Sequence, residues 1–167
     1  SYQVKTLYDY IIKTSNFKKS DIVYDLYCGT GTIGIYISQF VKKVYGIEIV
    51  EDAINDAKIN AENNYIDNIN FYCGDLKDIL DSKALDNIEK PTTVIVDPPR
   101  PGLHPSTMKN WTRLSPEKII YVSCNPSTQA RDIKFINENG YQIHDIQPLD
   151  MFPHTPHIEC IATLNKD

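Results

Sequence analysis

Short apolar runs alternate with amphipathic stretches along the chain. Residues 21–27 are apolar and rich in β-formers, glycines follow, and 33–40 carries a helical pattern. A second apolar run at 43–49 leads into 51–63, where Ala53, Ile54, Ala57 and Ala61 recur at helical spacing. The alternation continues with strands at 69–73, 92–96 and 119–123. Between them, the polar stretch 76–89 predicts a short helix plus loop. A helix over 127–139 is stopped by Gly140, and runs at 141–148 and 157–164 close the chain as two strands.

This order predicts an α/β fold: a doubly wound, mostly parallel sheet with helices on both faces. The last two strands, joined by 149–156 without a helix, predict a terminal antiparallel hairpin at one edge. The Rossmann-like plan resembles that of the S-adenosylmethionine-dependent methyltransferases. In such sheets ligands bind beyond the carboxyl ends of the strands.

Composition sets limits. A chain of 167 residues holds one well-packed domain and is short for two. No apolar run approaches the roughly 20 residues of a membrane helix, and no signal peptide opens the chain. It begins with Ser1 rather than Met, as a piece of a longer protein would. Cys28, Cys73, Cys124 and Cys160 form no Cys-x-x-Cys pair, which argues against zinc and iron–sulfur sites and for a reducing, cytoplasmic setting. The net charge of −5 does not advertise the basic face of a free-standing nucleic-acid-binding domain.

The strand ends carry the candidate chemistry. "DLYCGTGTIG", 25–34, has the glycine spacing of a nucleotide-binding turn, Gly29 first among them. Asp25 can accept from a ligand ammonium group or brace the glycine loop. Glu48 follows about 20 residues on, where a carboxylate can take ribose hydroxyls of either NAD or S-adenosylmethionine. Asp75, in "CGD", can accept from an adenine amino group or merely close a turn. In "DPPRPG", 97–102, two prolines hold Asp97 over the crevice, and Arg100 can reach a phosphate or a base carbonyl. Cys124 stands between a strand and a helix amino end, a place that packs a thiol or stabilises a thiolate. Glu159 sits among apolar neighbours and needs a partner or a task. His154 and His157 have no further ligands at metal-binding spacing.

Taken together, "DLYCGTGTIG", "GIE", "DPPRPG", "SCNPST" and "FPHTPHIEC" resemble, in this order, the catalytic domain of the RNA 5-methyluridine methyltransferases, over nearly the whole chain. The resemblance implies S-adenosyl-L-methionine-dependent methylation of uridine C5 in transfer or ribosomal RNA. It implies Cys124 as the nucleophile that adds to C6 and Glu159 as the base. It places Gln3, Tyr27, Glu48, Asp75 and Asp97 at the cofactor. The spacing between Gln3 and the Leu7–Tyr8 helix is shorter than the family's. Residues 1–167 would then be a single catalytic domain. The family's amino-terminal RNA-binding modules, often an OB-type barrel, are absent from this sequence, and RNA would be engaged mainly by them. The alternatives are an amino-group methyltransferase, a cofactor-binding fragment without turnover and, more distantly, an NAD-dependent oxidoreductase.

Overall fold

A computed structural model describes residues 2–81, 88–112, 114–151 and 158–167. Helix α1 (Tyr2–Ser15) precedes β1 (Ile22–Leu26), α2 (Thr32–Ser38), β2 (Lys43–Glu48), α3 (Glu51–Asn63) and β3 (Ile69–Cys73). Then come α4 (Leu76–Asp81), β4 (Thr93–Val96), α5 (Pro105–Thr112), β5 (Lys118–Ser123), α6 (Pro126–Glu138), β6 (Tyr141–Leu149) and β7 (Glu159–Lys166). The expected strands are all present. The last begins at Glu159 rather than at His157, a residue outside those described. α5 was not expected, and α1 was anticipated only through Leu7 and Tyr8.

One sheet runs in the order β3-β2-β1-β4-β5-β7-β6. β1 to β5 pair in parallel, while β7 is antiparallel to both β5 and β6. The expected mostly parallel sheet with a terminal hairpin is therefore observed.

Both faces of the sheet are covered, which is why its central strands read as continuous apolar runs. All of β1 is buried. Ile22, Tyr24 and Leu26 point to one side, where Leu76, Met108, Ile133 and Ile136 bring in α4, α5 and α6. Val23 points to the other, where Leu7, Ile11, Ile33, Ile37 and Ala61 bring in α1, α2 and α3. β5 alternates likewise, with Ile119 and Tyr121 on the first side and Ile120 and Val122 on the second. Truncating fully buried Ile120 to alanine would cost about 2–5 kcal/mol.

This topology positions the site in two ways. The strand order reverses between β1 and β4, which opens a crevice at their carboxyl ends. Because β7 runs backwards, its first residue lies at the same edge as the last residue of β5.

Candidate active site

The loop after β1 is built to leave backbone open. Tyr27 and Gly29 have φ of 61° and 52°, and Gly31 has φ of 77°. A Cβ on Gly29 would meet nothing within 4 Å, so its main chain borders free space. A Cβ on Gly31 would come within 2.8 Å of the Phe71 ring, so this turn requires glycine. Asp25 lies beneath the loop, 1% exposed, and its Oδ2 accepts the Gly34 N–H at 3.0 Å. Of the two roles open to it, bracing is thus observed. Its Oδ1 has no partner, and burial pushes the carboxyl up to about 7.

Glu48 ends β2, and backbone donors hold its carboxylate. Oε2 accepts from Gly29 N at 3.1 Å, and Oε1 accepts from Ile49 N at 2.8 Å and Val50 N at 3.1 Å. A carboxylate offers about four acceptor directions, so these three bonds fix its orientation and leave about one direction for a ligand hydroxyl. Glu48, Tyr27 and Asp75 line one pocket of about 170 Å³ with Ile49, His104 and Thr107. Asp75 has a structural task as well, since its Oδ1 accepts from Lys77 N at 2.8 Å at the start of α4. Tyr27 is raised by burial, which outweighs its hydrogen bond with Thr107.

A second cavity, of about 250 Å³, lies at the β4, β5 and β7 ends. Asp97, Cys124 and Glu159 line it, with Val4, Leu7 and Tyr8 of α1, Thr32 and Ile33 of α2, and Val122 and Met151. β5 and β7 are paired as far as Ser123 and Cys160. One further step of this antiparallel register sets Cys124 opposite Glu159, and opposite residues share a face. Cys124 is partly exposed and stands one residue before Asn125, which caps α6 by accepting from Ser127 N. Half-buried Glu159 is pushed up by burial. Asp97 opens onto the cleft, yet the walls crowd its carboxyl. That desolvation, with the Glu159 charge nearby, pushes it up to about 7.

The structure thus brings Tyr27, Glu48 and Asp75 to one pocket, with Gly29 bonded to Glu48 beside it, and Asp97, Cys124 and Glu159 to the neighbouring cavity. The side chain of Gln3 lies outside the described residues, as do His154 and His157. Among the described residues, no group of three or more His, Cys, Asp or Glu is placed to hold a metal, and no helix is long and apolar enough to cross a membrane. Sequence reasoning missed Tyr8, Thr32, Ile49, His104 and Thr107. Ile49 left a trace as an apolar residue just past a strand end, 59% exposed. The others reach the pockets only through packing of α1, α2 and α5.

Comparison with known proteins fits this arrangement. An rRNA methylase from Streptococcus thermophilus, only 12% identical, superposes with a TM-score of 0.73 over 98% of this chain and 96% of its own. The fold is that of the S-adenosylmethionine-dependent methyltransferases. More narrowly, the model of the tRNA (uracil-5-)-methyltransferase family matches residues 3–167, and the chain belongs to that family. A protein named an uncharacterized RNA methyltransferase from Chlorobaculum tepidum is 47% identical over 98% of this chain and 34% of its own length. A similarly named protein from Oceanobacillus iheyensis is 43% identical over 97% of this chain and 35% of its own. The crystal structure of Pyrococcus abyssi tRNA (uracil-54, C5)-methyltransferase in complex with S-adenosyl-L-homocysteine has a TM-score of 0.77 at 40% identity, covering 93% of this chain and 37% of that one. The chain spans about a third of the length of these relatives.

Proposed function

We propose that this chain is the catalytic domain of an enzyme that methylates C5 of a uridine in RNA, either tRNA or rRNA. S-adenosyl-L-methionine would be the methyl donor, and Cys124 would form a transient adduct at C6. The observation that carries this reading is the single cavity lined by Cys124, Glu159 and Asp97, next to the pocket of Tyr27, Glu48 and Asp75.

The residues fit the donor. Open backbone at Gly29 permits close approach, and the unpartnered Oδ1 of Asp25 is a buried acceptor beneath the loop. Glu48 would hold the ribose, Asp75 the adenine amino group and Ile49 an apolar face of the adenine. Tyr27 and Asp97 would line the path to the second cavity. Gln3 is assigned to the cofactor on the family resemblance alone. When bound, the donor supplies an electrophilic methyl group on a sulfonium and leaves as a neutral thioether.

Uracil C5 alone is a weak nucleophile. The Cys124 thiolate, at the positive end of the α6 dipole, adds to C6. As the S–C6 bond forms, the C5=C6 π pair moves into the O4 enolate, and C5 becomes able to attack the methyl carbon. Glu159 then takes the C5 proton, the freed pair restores C5=C6, and the thiolate is expelled. The methyl group has replaced the proton, and Cys124 is regenerated. Raised by burial, Glu159 is a better proton acceptor than a solvated glutamate.

A stacked base hides C5 and C6, so the target uridine would be flipped out. The net charge of −5 fits a division of labour in which the parts of the longer relatives outside this match grip the RNA. Four free thiols fit a reducing, cytoplasmic location. The test is Cys124→Ala in the full-length protein, assayed for methyl transfer to uridine-containing RNA. Loss of transfer to background is expected, and retained turnover contradicts the mechanism.

A further inference from the structure

α6 carries a buried amide that the reaction above does not use. Gln129 is 3% exposed, and its Nε2 donates to two strands at once: to Tyr121 O of β5 at 2.9 Å and to Cys160 O of β7 at 3.0 Å. A glutamine amide has two N–H donors, and these contacts use both on main chain. One of the strands it joins ends just before Cys124, and the other begins with Glu159. Tyr121 lies three residues before Cys124, and Cys160 directly follows Glu159.

The join falls near the end of the β5–β7 ladder. Toward β5, the pairing of β7 ends at Ser123 and Cys160. Toward β6, the residue opposite Cys160 is Pro148, which has no N–H to give. Strand ends fray most easily, and the end residue Glu159 is paired with Leu149 of β6 but not with β5. Gln129 does not line the cavity of Cys124 and Glu159. It lines a groove of about 490 Å³ with Pro126, Ile133, Ile143 and Cys160. Its influence therefore passes through the backbone.

We propose that Gln129 is a positioning residue that fixes the Glu159 end of β7 against the Cys124 end of β5, and so sets the base for removal of the C5 proton. This rests on the functional reading above. It separates two half-reactions. Adduct formation with 5-fluorouridine RNA needs the nucleophile and the methyl donor but no proton removal, because fluorine cannot leave as a proton. Turnover of uridine RNA needs both.

The test uses the full-length protein. Gln129→Met keeps the length and apolar volume and removes the donors. Adduct formation with 5-fluorouridine RNA should stay within about twofold of wild type, while turnover of uridine RNA falls about tenfold or more, as misplacement of a catalytic group implies. Gln129→Glu is the second variant. Protonated, it still donates one O–H; ionised, it turns acceptors toward two carbonyls. Its turnover should fall with rising pH beyond the wild-type profile while its adduct formation does not. Equal losses in both half-reactions, or no loss in either, overturn the proposal. If wild type itself forms no adduct, the functional reading fails. If wild type forms it and neither variant splits the half-reactions, this proposal alone fails.

Discussion

Asp25 and Gly34 meet across nine residues beneath the glycine loop, the Gly34 N–H donating to Oδ2 while Oδ1 stays unpartnered. The contact holds the start of α2 against β1, but it places a carboxyl group where its ionised form is penalised. Burial raises Asp25 from 3.8 to about 7. A raised acid contributes stability that is complete below its unfolded pKa and lost as pH climbs through the folded value. From pH 5 to 8 this group alone should cost at most about 3 kcal/mol. Asp25→Asn should remove that slope, since an amide oxygen can still accept from Gly34. Urea unfolding at both pH values reads the difference between the two proteins, and parallel slopes would refute the assignment.

Asp97, raised in the same way, carries the same folding linkage, and its proposed place at the cofactor predicts a pH dependence of binding as well. Desolvation, with the Glu159 charge nearby, pushes its carboxyl up to about 7, and the proposed role calls for the ionised, acceptor-only form. Calorimetric titration with S-adenosyl-L-homocysteine should show affinity rising about tenfold from pH 6 to 8, following the ionised fraction. In Asp97→Asn the profile should be flatter and the affinity lower throughout.

Gly31→Ala tests the loop. The new Cβ would sit at a φ of 77° and press on the Phe71 ring. A loss of about 1–2 kcal/mol in denaturant unfolding is expected, together with weaker binding of S-adenosyl-L-homocysteine. Gly29→Ala meets no neighbour but must hold a φ of 52°, so it should lose about 1 kcal/mol, without the added clash of Gly31→Ala, and should also weaken binding.

Glu159→Gln should separate addition from release. Without a base, the methylated Cys124 adduct cannot shed the C5 proton, so covalent protein–RNA complex should accumulate even with ordinary uridine RNA. A denaturing gel reads it directly. Full turnover by this variant would remove Glu159 from the mechanism.

Much of the site was legible because it sits at strand ends, and the strands announce themselves. Apolar runs ending in glycine, in "DPPR" or in "SCNP" mark where chain leaves the sheet, and Glu48, Asp97 and Cys124 fall there. Glu159 was legible for the opposite reason, as a carboxylate in an apolar run, although β7 starts two residues later than its pattern suggests. What could not be read depends on contacts distant in sequence. His104 and Thr107 reach the pocket through α5, whose eight residues are too few for periodicity to announce a helix. Gln129 and Asp132 look like the solvent face of a helix in "STQARD", yet both are buried. Asp132 accepts from Leu103 N and Tyr121 Oη, each at 2.7 Å. Arg131 Nη2 donates to Pro101 O at 3.0 Å, so α6 also grips the loop after Asp97. Buried polar groups that bind distant main chain leave no periodic signature.

Peptide mapping by mass spectrometry, after the full-length protein is incubated with S-adenosyl-L-methionine and 5-fluorouridine-containing RNA, puts the central claim to its most direct test. The peptide bearing Cys124 should carry a methylated fluorouridine, and the Cys124→Ala protein should carry none. Methyl transfer that proceeds with no such adduct, or with the label on Cys28, Cys73 or Cys160 instead, would contradict the account.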